Sequence, residues 1–250
     1  MPIPSIQTNH FLCRRSSEDA RQYVYRVIKY CILELLLFPG QQLKEVDLAQ
    51  SLSVSRTPVH DTIFKLSREH LADIFPNRGA FVSKLSPESI RNAIWTHEQM
   101  GLAILQDIHI HNVPKSKLDS LLIHLNYMEG ILERHNPSEY TRGLMEFYHL
   151  MYTLLGDKEL VWKSLQNVDT DLRRLTYLAA SSSVVSAAFI HELHDLSQAL
   201  IQRDNDKACR IYTHHLSRML LLIDPLHQHN PQYFVADQEG VRLPDQKERL

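Results

Sequence analysis

Between Asp19 and Leu36 the apolar residues Val24, Val27, Ile28, Cys31, Ile32 and Leu35 recur at helical spacing, and Phe38-Pro39-Gly40 stops the run. The next apolar groups are shorter. Leu48, Ala49 and Leu52 form one small face, Val54 falls between, and Val59, Ile63 and Leu66 form another, so two short helices joined by a tight turn are predicted. The period then changes, because Ile74-Phe75 and Ala80-Phe81-Val82 flank Pro76-Asn77-Arg78-Gly79, the pattern of a small hairpin. From Ser86-Pro87, an N-cap followed by a proline suited to a first helical turn, the helical period returns and persists to about Ile223. Ile90, Ile94, His97, Gly101, Ile104 and Ile108 share one face, and Pro114 breaks that run. Leu118, Leu121, Leu122, Leu125 and Met128 line the next face, up to the break at Asn136-Pro137-Ser138. Leu144, Phe147, Tyr148, Met151 and Leu155 line a third, closed by Gly156-Asp157. Further helices over 160–178, 185–201 and 206–223 complete an antiparallel bundle of about six.

The fold class is therefore mainly α, an N-terminal winged helix-turn-helix domain followed by a C-terminal antiparallel helical bundle. Expected boundaries are a flexible arm over 1–17, the winged domain over 18–85, the helical bundle over 86–225, and a polar tail over 226–250. A plain helical hairpin also fits the apolar faces of the two short helices. What favours a DNA reader is the Ser55-Arg56-Thr57-Pro58 start of the second helix, which leaves Arg56, Thr57 and His60 outward. A helix's first turn also favours a phosphate through its backbone N–H groups and dipole. Lys44, Ser55, Arg56, Thr57 and His60 are the expected DNA contacts, with Arg78 at the hairpin tip, the wing, in or beside the minor groove.

Composition changes this picture in one respect. The 250 residues carry a net charge of −2, and between Glu18 and Leu85 nine Lys and Arg stand against eight Asp and Glu. Affinity for DNA must then come from placement and from a second copy, because phosphate contacts depend on local cations. The three cysteines, Cys13, Cys31 and Cys209, are scattered, which argues against a disulfide framework and for a reducing compartment. The opening residues lack the apolar core of a secretory signal, and no apolar run reaches about 18 residues, so a cytoplasmic protein is expected.

These residues resemble the GntR family of bacterial transcription regulators, within it the FadR-like group with an all-helical effector (FCD) domain. The resemblance passes through Phe38-Pro39-Gly40-Gln41-Gln42-Leu43, peaks at Val54 to Val59, continues through Asn77-Arg78-Gly79-Ala80-Phe81-Val82, and is looser afterwards. It implies a homodimer on a double-stranded operator, with a small-molecule effector in the bundle and often a divalent metal. The implied metal set is an Asp and a His four apart on one helix, then one His on each of two later helices. Ten of the fifteen histidines fall in the bundle, so this set is tested directly. Aligned on Gly156-Asp157 and on Ala199 to Asp204, the four positions hold Leu144, Tyr148, Leu193 and His215. On a wheel of about 100° per residue, Glu146 and His149 face away from the apolar stripe, and His191 and His194 lie off theirs. No metal and no other cofactor is expected; the fallback set is His215 with His149 and His194. The effector cavity is expected to be more apolar than in the family, with Tyr148 and His215 as polar handles; solid packing there is the other outcome. Arg173 or Arg174 is the candidate partner for an effector carboxylate or phosphate, a solvated surface position being the equal alternative.

Two departures from the family bear on the reader. His60 stands where the resemblance implies Arg, so readout of a guanine there should weaken or change. Ser53 and His70 stand where it implies glycine. The leading functional reading is a dimeric, effector-controlled transcription regulator that is not an enzyme. Its rivals are a constitutive DNA-binding dimer and a metal-dependent enzyme using the bundle histidines.

Overall fold

The computed structural model describes residues 12–156, 158–182 and 187–236. Helix α1 (Ala20–Leu33) opens with Asp19 and Gln22 in a capping box and buries Val24, Val27, Ile28, Cys31 and Ile32. Helices α2 (Glu45–Ser51) and α3 (Arg56–Arg68) form the tight pair. Leu48 and Ala49 from α2, and Val59, Ile63 and Leu66 from α3, join the α1 face in one core. Strands β1 (Ala72–Phe75) and β2 (Gly79–Val82) pair antiparallel with Ala72 opposite Val82 and Phe75 opposite Gly79. A third short segment joins them, as Gln42 bridges Phe81 and Leu43 N–H donates to Ala80 O at 2.8 Å.

A second core fills the bundle. It is built from α4 (Pro87–Ile110), α5 (Lys115–Glu133), α6 (Pro137–Thr153), α7 (Glu159–Val168), α8 (Thr170–Ser181), α9 (Ala187–Ile201), α10 (Asn205–Leu220) and α11 (Ile223–His229). Ser86, Asn136 and Asp204 cap α4, α6 and α10 by accepting backbone N–H bonds. The 160–178 stretch, expected as one unit, divides at Asp169 into two helices, so the bundle has more segments than the periodicity suggested. Helix α10 packs along α9 and α4, and α8 reaches both α4 and α6. Gly101 of α4 lies under the ring of Tyr212, where a Cβ would sit 2.2 Å from Tyr212 Cε1.

Polar contacts fasten the two domains together, and Tyr233 stacks on Phe38 of the reader with ring centroids 5.8 Å apart. Fully buried Arg174 of α8 donates to Ser83 O at 2.6 Å and pairs with Asp171, whose Oδ2 accepts from Ser86 N–H at 3.0 Å. Leu85 N–H donates to Tyr233 O at 2.9 Å, and Val235 N–H donates to Leu85 O at 3.0 Å. Between them, Phe234 is 1% exposed. Two expectations are corrected here. The polar tail does not begin at 226: α11 and a 3-10 turn (Pro231–Tyr233) carry the chain back to the domain junction, where Phe234 is buried. The arm likewise packs from Leu12 onward, with Leu12 1% exposed and Arg26 donating to Cys13 O at 2.8 Å. The rest of the predicted arm and tail, residues 1–11 and 237–250, lies outside the described residues.

Candidate functional site

The outward side of the helix pair is built from its start. Ser55 is the N-cap of α3 with extended backbone, and Arg56 and Thr57 occupy the first turn, both exposed, while Pro58 and Val59 turn inward. His60 is also exposed, but its Nδ1 lies 2.7 Å from Glu45 Oε1 of α2, and its ring meets Phe64 edge-on at 4.8 Å. One imidazole nitrogen is thus engaged within the protein, which leaves Nε2 for a base edge or phosphate. Arg78 sits in the hairpin turn between Asn77 and Gly79, whose φ angles are +61° and +93°. Its guanidinium lies 5.6 Å from the centroid of the Phe75 ring, and its carbonyl accepts from Gln42 Nε2 at 3.2 Å. Lys44, exposed, follows directly on the segment that pairs with the wing.

Sequence reasoning passed over Phe64, which is 48% exposed one turn beyond His60; its i+4 spacing from His60 was the available clue. Lys65 is engaged on the opposite side, its Nζ 3.5 Å from the centroid of the Tyr25 ring of α1.

In the bundle, Leu144, Tyr148, Leu193 and His215 are all buried, at 2%, 4%, 1% and 0% exposure. Tyr148 Oη and His215 Nε2 are 3.0 Å apart, and His215 Nδ1 is 3.0 Å from Glu192 Oε2. Glu192 also pairs with Arg218. Burial works against its charge, yet the bonds from His215 and Arg218 hold the Glu192 carboxyl below the ordinary range. Burial pushes the Tyr148 phenol well up, so it stays neutral. The four side chains do not fit a divalent metal, because both leucines lack a donor atom and the one imidazole is bonded on both nitrogens. The fallback trio is not assembled either. His149 bonds Glu159 at 2.9 Å and stacks on Trp162, while His194 faces Glu129 at 3.2 Å. Among the described residues no cluster of three His, Cys, Asp or Glu side chains is placed to hold a metal.

Arg173 and Arg174 are corrected as partners of this interior. Arg174 is engaged in the domain junction, and Arg173 lines a different cleft, with Lys29 of α1. The periodicity put His97 inward without showing why. Its ring is 1% exposed and 5.6 Å from that of Tyr148, and its Nε2 is 3.8 Å from Asp169, which is fully buried. Neither the imidazole nitrogens of His97 nor the carboxylate oxygens of Asp169 have a hydrogen-bond partner within the protein. Asp169 was invisible as a site residue because its burial comes from the break between α7 and α8, which the sequence pattern ran through.

Comparison with known proteins agrees with this architecture. Residues 20–82 match the family described as bacterial regulatory proteins, gntR family, and residues 108–218 match the FCD domain. The HTH-type transcriptional repressor RspR of Escherichia coli K12 is 25% identical over 218 residues, covering 87% of this chain and 95% of RspR. An HTH-type transcriptional regulator of Streptomyces ambofaciens, from an unstable DNA locus, is 27% identical over 232 residues, covering 92% of this chain and 96% of that protein. In fold, the chain is similar to a GntR regulator from Rhodococcus sp. RHA1 (TM-score 0.67, 17% identity, 81% of this chain and 96% of that one). It is similar also to E. coli McbR/YncC (TM-score 0.66, 16% identity, 85% and 99%). With its winged reader and helical second module both matched, the chain belongs to the GntR family of DNA-binding transcription regulators, with an FCD domain following the reader.

Proposed function

We propose that the protein acts in the cytoplasm as a homodimer that places two readers on the halves of a pseudo-palindromic operator, and that a small molecule in the bundle controls their spacing. Arg56 and Thr57 contact the major groove or its phosphates, Ser55 and Lys44 flank them, and Arg78 lies along the minor groove. The observation that carries the reading is the exposed, Arg-bearing first turn of α3 on a domain packed to a helical bundle. Two nearly neutral readers must engage together, so a change of a few ångströms in their separation costs the avidity of the pair.

The effector reading centres on Leu144, Tyr148, Leu193 and His215, and no metal is part of it. What supports a ligand there is the group of buried polar atoms on His97 and Asp169 beside the Tyr148 ring, since buried polar atoms without a protein partner point to water or a ligand. Such an effector has an apolar body and a polar end that meets Tyr148, His215 or His97. Arg56→Ala tests the DNA assignment. Gel-shift titration should show operator binding lost, while light scattering finds the dimer intact. Unchanged operator affinity overturns the assignment of α3 as the reading helix.

A further inference from the structure

Where α1 of the reader meets the elbow between α7 and α8 of the bundle, a cleft of about 350 Å³ opens. Lys29 lines it from the reader; Lys163, Gln166, Asn167, Thr170 and Arg173 line it from the bundle, at helical spacing across the elbow. No carboxylate is among the described residues that line it. Carboxylates outside the lining pair with its two lysines. Glu69 Oε2 is 2.7 Å from Lys29 Nζ, Glu159 Oε1 is 3.5 Å from Lys163 Nζ, and Glu34 feels the charge of Arg173. The Nε of Arg173 is buried and has no hydrogen-bond partner in the protein.

Lys29 and Lys163 each keep a carboxylate partner behind them, yet the described lining itself holds three cations and no carboxylate, and the buried Nε of Arg173 has no partner in the protein, so the cleft as a whole favours an anion. Arginine offers a fork of donors to clustered anionic oxygens, lysine a compact charge, and the amides add neutral donors. We propose that this cleft binds a small polyanion, a phosphate ester or a polycarboxylate, held between Lys29 of the reader and Lys163 and Arg173 of the bundle. The site is separate from the interior around Tyr148 and His215, and it gives Arg173 the anion-binding role expected from the sequence at a different place. Its ligand bridges the two domains and fixes the reader against the bundle. The regulator reading supplies the purpose of the site and not its test.

Isothermal titration calorimetry on the full chain, at constant low ionic strength, with inorganic pyrophosphate in one arm and citrate in the other, tests it without DNA. A failure of operator binding and a failure of this site are therefore read separately. Saturable one-to-one binding of either anion is expected, and the tighter arm assigns phosphate or carboxylate chemistry. Lys29→Gln and Arg173→Gln should each weaken it about tenfold. Lys163→Gln should do the same at a side chain 63% exposed, where the substitution does not endanger folding. Absence of saturable heat with both anions, or equal affinity in all three variants, overturns the proposal. Loss confined to the bundle variants, with Lys29→Gln unchanged, overturns the bridge between domains.

Discussion

Ser53 and His70 both adopt left-handed backbone, with φ of +54° and +57°. Ser53 joins α2 to α3 and His70 joins α3 to β1, so each turn that orients the reading helix carries a conformation that L side chains adopt at a cost. Ser53 is exposed, so removing its side chain forfeits little packing. Ser53→Gly should raise stability by about 1 kcal/mol, measured by urea unfolding with an unchanged slope. A loss of stability instead would show that the entropy of the unfolded glycine chain outweighs the relief of strain. The sequence made these two positions conspicuous because the family resemblance implied glycine at both. It did not show the pairing of His60 with Glu45, which depends on the crossing of α2 over α3. Local pattern fixes which side of a helix faces out, but not what stands across from it.

Among the elements, α4 shows how much periodicity conveys and where it stops. The spacing of Ile90, Ile94, His97, Gly101, Ile104 and Ile108 correctly marked its buried face. It left unexplained why the face holds a glycine and a histidine. The ring of Tyr212 lies directly over Gly101, and the phenol donates to His97 O at 3.0 Å, as Tyr152 does at 3.2 Å. Two tyrosines thus converge on one carbonyl, and the position of each ring is set by that bond. Gly101→Ala sets two effects against each other: alanine favours the helix by about 1 kcal/mol, while overpacking a core costs about 1–3 kcal/mol. The ring cannot retreat without giving up its hydrogen bond, so the second effect should win. The variant should melt at a lower temperature than wild type by circular dichroism; a higher midpoint would mean that Tyr212 moves freely. Nothing local could have revealed this contact, since Gly101 and Tyr212 are far apart in sequence and meet only through the packing of α4 on α10.

For the whole molecule, the decisive question is how the reader is held to the bundle, because an effector in the bundle can act on DNA only through that junction. The two hydrophobic cores are distinct, and what joins them includes the Arg174 and Asp171 contacts to Ser83 and Ser86 and the pairing of Leu85 with the chain on either side of Phe234. The domain order and the helical character of both modules were legible from period and turn residues alone. The junction was not, because it draws on two aromatic residues beyond the last periodic helix, Tyr233 stacked on Phe38 of the reader and Phe234 in the bundle core, in a stretch whose composition reads as tail. Phe234 packs into the bundle core, touching His227 with ring centroids 4.7 Å apart, while its flanking backbone is bonded to Leu85. Truncating a buried phenylalanine to alanine costs about 3–5 kcal/mol when the site cannot collapse. Part of that cost falls on the link between domains, so Phe234→Ala should do more than lower the thermal midpoint. The reader, with its own core built from α1 to β2, should begin to unfold separately, giving a calorimetric transition broader than one cooperative unit allows. Isolated loss of a few degrees with a single sharp transition would instead place the coupling in the polar contacts of Arg174, and Arg174→Met would then be the variant that separates reader from bundle.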